Sequence, residues 1–399
     1  MAMNPRSRRF TRCLIKMKKL SIVVGINHVN TLGLIRSLGL AGYRVIVFLE
    51  PCDLRYCTLR FSRYVGKLHH LTALDELVDL LKTRYCLNDC KTPILCSSDR
   101  SMALLDAHYA ELQANFVLFN IKRTEGLIPY YMDKVNTFPL AKKCGLKTIA
   151  TWHVKSGESI PADIPFPCFV KGNSSLTSSK EIIRICQDRN ELKEALRSGC
   201  DYLVQEYIKK DCELNLNGFA YNGGKDVYLP GIIFKIRESL ERQGEYMRLD
   251  PLVNYPTMNI EGIRNFIAEL GYEGLFSIEQ LKCGDEYYFL EINLRNDGLN
   301  WIYTAAGANF PKLWALYAER GLTEADTKGI NVKMPFFVML IVDIWNVIEK
   351  RISFLQWLHD FCMCDSYFHL SLRDPGPALY LTWIFIRQGF KKVIRKWRI

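Results

Sequence analysis

Apolar runs and amphipathic stretches alternate along the first third of the chain. Leu20–Ile26 is a short apolar run ending in Gly25-Ile26-Asn27, and Leu32–Ala41 has helical spacing closed by Gly42. Tyr43–Leu49 is β-branched and aromatic, Ala73–Tyr85 is helical, and Pro93–Cys96 and Phe116–Phe119 are apolar again. Strand–helix–strand alternation at this spacing predicts a parallel sheet covered by helices. A ligand of such a sheet lies beyond the carboxyl ends of its strands, where Gly25–Asn30 and Ser97–Asp99 fall. No GxGxxG motif is present, which argues against a dinucleotide.

The pattern then changes. Asp133–Cys144 reads as a helix with Asp133 as N-cap and Gly145 as its stop. After Pro161, Pro165 and Pro167 comes Cys168–Lys171, a short strand ending in a lysine, then a small polar loop from Gly172 to Ser179. Glu181–Cys186 and Tyr202–Ile208 are strand-like and Glu191–Arg197 is helical. From Glu213 to Asn293, strand-like runs are separated by Gly223-Gly224, Gly231 and Gly284-Asp285, with one helix near Gly262–Leu270. A strand-like run (Pro335–Val347) and a helix (Phe354–Phe361) follow, and Asp374-Pro375-Gly376-Pro377 breaks the chain before a basic tail.

Composition refines this picture. With 399 residues, 49% apolar and 24% charged, the chain is globular and long enough for two or three domains. Its net charge of +11 sits at the ends: the leader supplies Arg6, Arg8, Arg9, Arg12, Lys16, Lys18 and Lys19, and the tail Arg387, Lys391, Lys392, Arg395, Lys396 and Arg398. The body is close to neutral, which argues against a nucleic-acid partner and for an anionic surface met at the termini. The 14 cysteines are scattered without a CxxC pair, as in reduced cytosolic proteins.

No apolar run approaches the ~20 residues that span a bilayer. The leader mimics a signal peptide, but Asn27, His28 and Asn30 interrupt the run after it, and Met17 is an alternative start. From Trp383 the tail places Ile386, Phe390, Val393, Ile394 and Trp397 on one helical face and Arg387, Lys391, Arg395 and Arg398 on another. Two readings of residues 379–399 follow: a peripheral anchor on an anionic membrane, or a helix packed on the protein's own body.

The chemistry concentrates in Gly274–Arg295, two strand-like runs around a Cys-Gly-Asp-Glu turn. Side chains two apart on a strand share a face, so Glu291, Asn293 and Arg295 project together. Pairing Glu279 with Glu291 requires an odd-length loop or a bulge. Two carboxylates and an amide oxygen would then converge in an oxygen-rich site suited to Mg²⁺ under nucleotide phosphates, with Arg295 as fixed positive charge. The same residues also fit a solvated salt-bridge ladder. Lys235 and Arg237 face phosphates or an incoming acid, or form an exposed basic ladder; Asn27, His28 and Asn30 touch substrate or form a polar loop. His69-His70 reads as surface, and Trp301, Tyr303 and Trp314 as core.

The order of motifs resembles the ATP-grasp superfamily: Asp133-Lys134 opening a helix, a strand ending in Lys171, Gln205-Glu206-Tyr207-Ile208, then Glu279 and Glu291-x-Asn293-x-Arg295. Carboxylate–amine ligases related to the carbamoyl-phosphate synthase large chain and to D-aspartate ligase are similar over about residues 20–320. The resemblance implies an α/β and α+β chain, a preATP-grasp Rossmann-like sheet followed by a two-subdomain ATP-grasp fold. The expected division is a leader 1–18, a preATP-grasp domain 19–125, an ATP-grasp domain 126–325 with a lid at about 150–208, and an extension 326–399.

The resemblance also implies roles. Lys134, Lys171, Ser174 and Ser175 would contact ATP phosphates, Gln205 would also belong to the ATP site, Glu206 to Ile208 would form the adenine hinge, and Glu213 would hold the ribose. Glu279, Glu291 and Asn293 would bind Mg²⁺ or Mn²⁺, and Glu291 and Arg295 would be catalytic. The implied enzyme activates a carboxylate as an acyl phosphate and joins it to an amine, or uses bicarbonate or another nucleophile; a non-catalytic nucleotide binder is the third reading. Small-molecule or lipid-linked substrates at the cytoplasmic face, in surface-glycan or peptidoglycan-precursor chemistry, are the expected setting. Two departures stand out: Leu294 replaces the usual proline, and the phosphate loop is serine-rich with only Gly172.

Overall fold

The computed structural model describes residues 19–86, 91–155, 158–172, 184–196, 201–238 and 244–396. The leader, Ser174 and Ser175 with their loop, and the tail side chains past Arg387 lie outside the described residues.

The expected parallel sheet forms first. Strands β1 (Leu20–Gly25), β2 (Arg44–Leu49), β3 (Val65–His70), β4 (Thr92–Cys96) and β5 (Phe116–Val117) lie in the order β3-β2-β1-β4-β5, all parallel. Ile22, Val23, Val24, Val47 and Leu95 are fully buried, as the unbroken apolar runs require of a sheet covered on both sides. Helices α1 (Val29–Leu40), α2 (Glu76–Arg84) and α3 (Asp99–Ala107) follow β1, β3 and β4. The strand order reverses between β1 and β4, which opens a crevice beyond Gly25 and Cys96. There the backbones run close: a Cβ added to Gly25 would sit 1.8 Å from the Ser97 hydroxyl oxygen.

Strand β3 is absent from the hydrophobic pattern because Val-Gly-Lys-Leu-His-His alternates too weakly to read as a strand. Its histidines are not simply surface groups. His69 stacks on Phe48 with ring centroids 4.8 Å apart and bonds the Tyr85 hydroxyl at 2.7 Å, while His70 reaches the Cys52 backbone.

Short strands β6 (Asn120–Ile121) and β7 (Lys147–Thr148) flank α4 (Lys134–Lys143), which Asp133 caps by accepting the Val135 amide at 2.9 Å. A four-stranded antiparallel sheet comes next: β8 (Thr151–Val154), β9 (Cys168–Gly172), β10 (Arg184–Cys186) and β11 (Tyr202–Glu206), ordered β10-β9-β11-β8. With α5 (Arg189–Ala195) it encloses its own small core around Val154, Val170, Leu192 and Val204.

The largest sheet contains β12 (Cys212–Tyr221), β13 (Asp226–Tyr228), β14 (Ile232–Glu238), β15 (Gly244–Asp250), β16 (Tyr272–Cys283), β17 (Glu286–Asn293), β18 (Phe336–Met339) and β19 (Ser366–Tyr367). Its path runs β19-β18-β15-β14-β12-β16-β17-β7. Helices α6 (Ile260–Leu270), α7 (Asn300–Ala306) and α8 (Phe310–Arg320) contribute to its core, where Tyr303 and Trp314 are fully buried and Trp301 nearly so.

The apolar run Pro335–Val347 is not one strand. It divides into β18, a 3-10 turn (Ile341–Ile344) and a helical turn (Trp345–Ile348), which brings Asp343 inward. Helices α9 (Phe354–Met363) and α10 (Gly376–Lys396) complete the chain. Asp374-Pro375-Gly376-Pro377 starts α10 rather than merely breaking the chain, since proline is tolerated in a first helical turn. Asp374 is a lock: its carboxylate accepts from the Arg36 guanidinium at 2.9 Å, with both side chains 1% exposed.

Candidate active site

The hairpin of β16 and β17 turns through Gly284-Asp285, with Gly284 in the left-handed region at φ +59°. A two-residue turn alone would pair Glu279 with residue 290. A bulge between Glu279 and Gln280 shifts the ladder, so Glu279 stands directly opposite Glu291. The bulge also lets the consecutive residues Leu290 and Glu291 both line one cavity.

That cavity, about 350 Å³, lies between the four-stranded sheet and the large sheet. Ile149, Phe169, Ile208, Leu281 and Leu290 give it an apolar part, and Lys171, Lys210, Glu213, Glu238, Glu279 and Glu291 a charged part. Gln205, Glu206 and Tyr207 form its wall; Glu206 donates its backbone N–H to Ala150 at 3.0 Å and Tyr207 to Pro167 at 3.3 Å. A slot of this kind accepts a flat apolar ring at one end, and its charged end, with four carboxylates to two lysines, would take an anion only together with a cation.

The charges are tightly coupled. The Lys134 ammonium, placed by the first turn of α4, lies 2.9 Å from the Glu291 carboxylate. Burial would raise Glu291, but Lys134, Lys171 and Arg295 outweigh it and hold this carboxyl well below its ordinary range. Glu279 moves the other way, because burial and the facing Glu291 charge both disfavour its anion. Lys171 is pushed down to about 8 by burial and by Lys134. Lys235 is raised: burial opposes its charge, but Glu279 and Glu213 outweigh it, and Glu213 accepts from it at 2.6 Å.

Cross-strand register adds residues that motif reading passed over. Asn215 stands opposite Glu279 and Asn217 opposite Ser277, so Glu213, Asn215 and Asn217 alternate onto the acidic face. Their period-two spacing was a usable signal. Both asparagines are buried, and among the described residues Asn215 Oδ1 and both side-chain amide atoms of Asn217 have no hydrogen-bond partner. Ser277 donates to Asp297 at 2.8 Å and accepts from Asn293 at 3.3 Å.

The end of the hairpin reaches the crevice of the parallel sheet. Arg295 donates to both Asp99 oxygens, at 2.6 and 3.2 Å, and to Asn293 Oδ1 at 3.2 Å. Asn296 donates its backbone N–H to Cys96 and its side-chain amide to the Asn30 carbonyl. Asn30 therefore borders the site. Asn27 is half-buried and donates to the Tyr56 carbonyl.

Arg237 does not join the others. A β-bulge between it and Lys235 breaks their common face, and its guanidinium is taken by Asp343 and Asp360, with an Asp360 contact of 2.9 Å. Both the phosphate-contact and the exposed-ladder readings of Arg237 are corrected on that ground.

An oxygen set of two opposed carboxylates and an amide suits a hard divalent cation. The like-charge strain that raises Glu279 is what such a cation would relieve. Among the described residues, no group of three His, Cys, Asp or Glu side chains gathers for a metal.

No family model matches the chain, and no curated protein sequence matches it. Solved structures do. An L-amino acid ligase from Bacillus licheniformis is 14% identical, with 79% of this chain and 78% of that one covered and a TM-score of 0.61. N5-carboxyaminoimidazole synthetase from Staphylococcus aureus, complexed with ADP, is 16% identical over 77% and 79%, with a TM-score of 0.58. Biotin carboxylase from Campylobacter jejuni is 13% identical over 78% and 73%, with a TM-score of 0.60. At these identities the likeness is one of architecture: the chain has the fold of the ATP-grasp ligases.

Proposed function

We propose that the protein is an ADP-forming carboxylate–amine ligase. The observation that carries this reading is Glu279 facing Glu291, with Lys134 2.9 Å from Glu291, on the floor of a cavity with an apolar end. In it, Phe169, Leu281 and Leu290 hold the adenine beside the Glu206–Ile208 backbone, and Glu213 faces the ribose. Lys134 and Lys171 neutralise phosphate oxygens; Ser174 and Ser175 belong to the same assignment. Glu279, Glu291 and Asn293 would hold Mg²⁺ or Mn²⁺, which supplies charge neutralisation on the phosphates.

A substrate carboxylate oxygen attacks the γ-phosphorus, and the bond to ADP breaks. An amine nitrogen then attacks the acyl carbon, phosphate leaves, and the nitrogen loses a proton. Arg295, fixed by Asp99, steadies the oxygens that gain charge, as phosphoryl transfer demands positioning and neutralisation above all. Lys235 keeps Glu213 and Glu279 in place, and Asn30 borders the acceptor.

The domain division at about residues 125 and 325 belongs to this proposal, although β18 and β19 extend the large sheet beyond the second boundary. So do the cytoplasmic setting, small-molecule or lipid-linked substrates in surface-polymer chemistry, and membrane contact through residues 379–399. No helix among the described residues is long and apolar enough to cross a membrane. The test is a panel of carboxylates and amines scored for ADP. Phosphate released only with ATP, an acid and an amine together supports the ligase. Nucleotide binding without turnover on any pair would leave only a binding protein.

A further inference from the structure

Helix α9 is inside out for a soluble surface. Its one buried residue is the acid Asp360, committed to Arg237, while Phe354, Leu355, Leu358 and Met363 are 54%, 76%, 39% and 63% exposed. Before it, Trp345 and Ile348 are exposed in the helical turn, and after it Leu372 is 96% exposed. Helix α10 repeats the arrangement. Tyr380 packs on Phe61 and Ile384 is buried, but Leu379, Trp383 and Ile386, at i, i+4 and i+7, are all exposed. Of the tail's apolar stripe, Ile386 is described and faces solvent, while Tyr380 and Ile384 hold the start of the helix to the body.

We propose that residues 345–387 form a docking surface for an anionic lipid bilayer, to which α9 contributes as much as the tail. Charge identifies the occupant. Exposed Lys350, Arg351, Arg373 and Arg387 lie in the same stretch of chain as these apolar groups, against the exposed acids Glu349 and Asp365. The sequence holds no acid after Asp374 and six basic residues from Arg387 onward. Arg387 lies over the Trp383 ring at 5.1 Å, an amphipathic pair of the kind that sits at headgroup depth. Apolar side chains spread over consecutive helices and set among basic ones match a flat anionic interface, where each enters the headgroup boundary separately. The surface goes beyond the catalytic assignment and does not depend on it.

The test is flotation of the full chain with phosphatidylcholine vesicles, with and without phosphatidylglycerol. The wild type should float with the mixed vesicles, less with neutral ones, and less at high salt. Leu355→Glu with Leu358→Glu, and separately Leu379→Glu with Trp383→Glu, should each lower flotation roughly tenfold or more. Unchanged melting transitions establish that the variants fold, and neither readout requires nucleotide, so a failed ligase assignment leaves this result intact. Wild-type chain that never floats would overturn the proposal. So would an α9 variant that floats like wild type, or a wild-type dimer that the α9 variant converts to a monomer without vesicle binding.

Discussion

Arg295 holds Asp99 with two nitrogens, at 2.6 and 3.2 Å, across 196 residues of sequence. The contact joins the exit of the β16–β17 hairpin to the first turn of α3, beyond the strand-order reversal of the parallel sheet. Burial would weaken the arginine's charge, but Asp99 and Asp297 strengthen it. Asp99→Asn should leave KM for ATP nearly unchanged and lower kcat roughly 10- to 100-fold, since a misaimed cation loses transition-state contact first. Steady-state kinetics with saturating acid and amine decide it; an unchanged kcat would make the ion pair purely structural.

Glu291→Gln keeps the shape of the site and removes the charge that Lys134 and Glu279 both feel. ADP formation should fall by roughly 10²- to 10³-fold with an unaltered melting transition. Near-wild-type turnover would count against the whole assignment.

Lys171 predicts a pH dependence. Its ammonium is present below about 8 and lost above it. KM for ATP should therefore rise as pH passes through that value, by up to about tenfold per unit. Lys171→Arg, which stays charged, should flatten the rise. A KM insensitive to pH in the wild type would show that Lys171 does not meet phosphate.

Chelation should abolish ADP formation, and Mg²⁺ should restore it. In Glu279→Gln, restoration should need a higher Mg²⁺ concentration, because one of the two opposed carboxylates is gone. Full activity in a chelator would remove the cation from the proposal.

Arg36 and Asp374 make a buried pair whose remaining valences go to the Phe368 and His369 carbonyls, the Ser62 hydroxyl and the Arg63 amide. Asp374→Ala should cost about 3–5 kcal/mol by stranding a buried guanidinium. Denaturant unfolding measures it, and a loss below ~1 kcal/mol would mean that water reaches Arg36.

The sequence makes the parallel sheet legible because buried strands carry continuous apolar runs, and the hairpin acids legible because strand side chains alternate. Arg237 was opaque for a different reason. Its partners lie 106 and 123 residues away, and no local pattern links a strand arginine to aspartates on a turn and a helix. Helix α9 showed its period but not its orientation, since an amphipathic pattern does not say which face meets solvent. Strand β3 carried too little apolar alternation to announce itself.

The bulge in β17 has a further consequence. In an evenly pleated strand, Leu290 and Glu291 would face opposite sides, and one segment could not offer an apolar and a charged side chain to the same cavity. Deleting Leu290 would let a straight ladder keep the two glutamates opposed while stripping away the greasy neighbour. Such a protein would keep its facing carboxylates while the cavity lost one apolar wall group of the set it shares with Ile149, Phe169, Ile208 and Leu281, so a single supernumerary residue is what lets greasy and charged neighbours stand side by side.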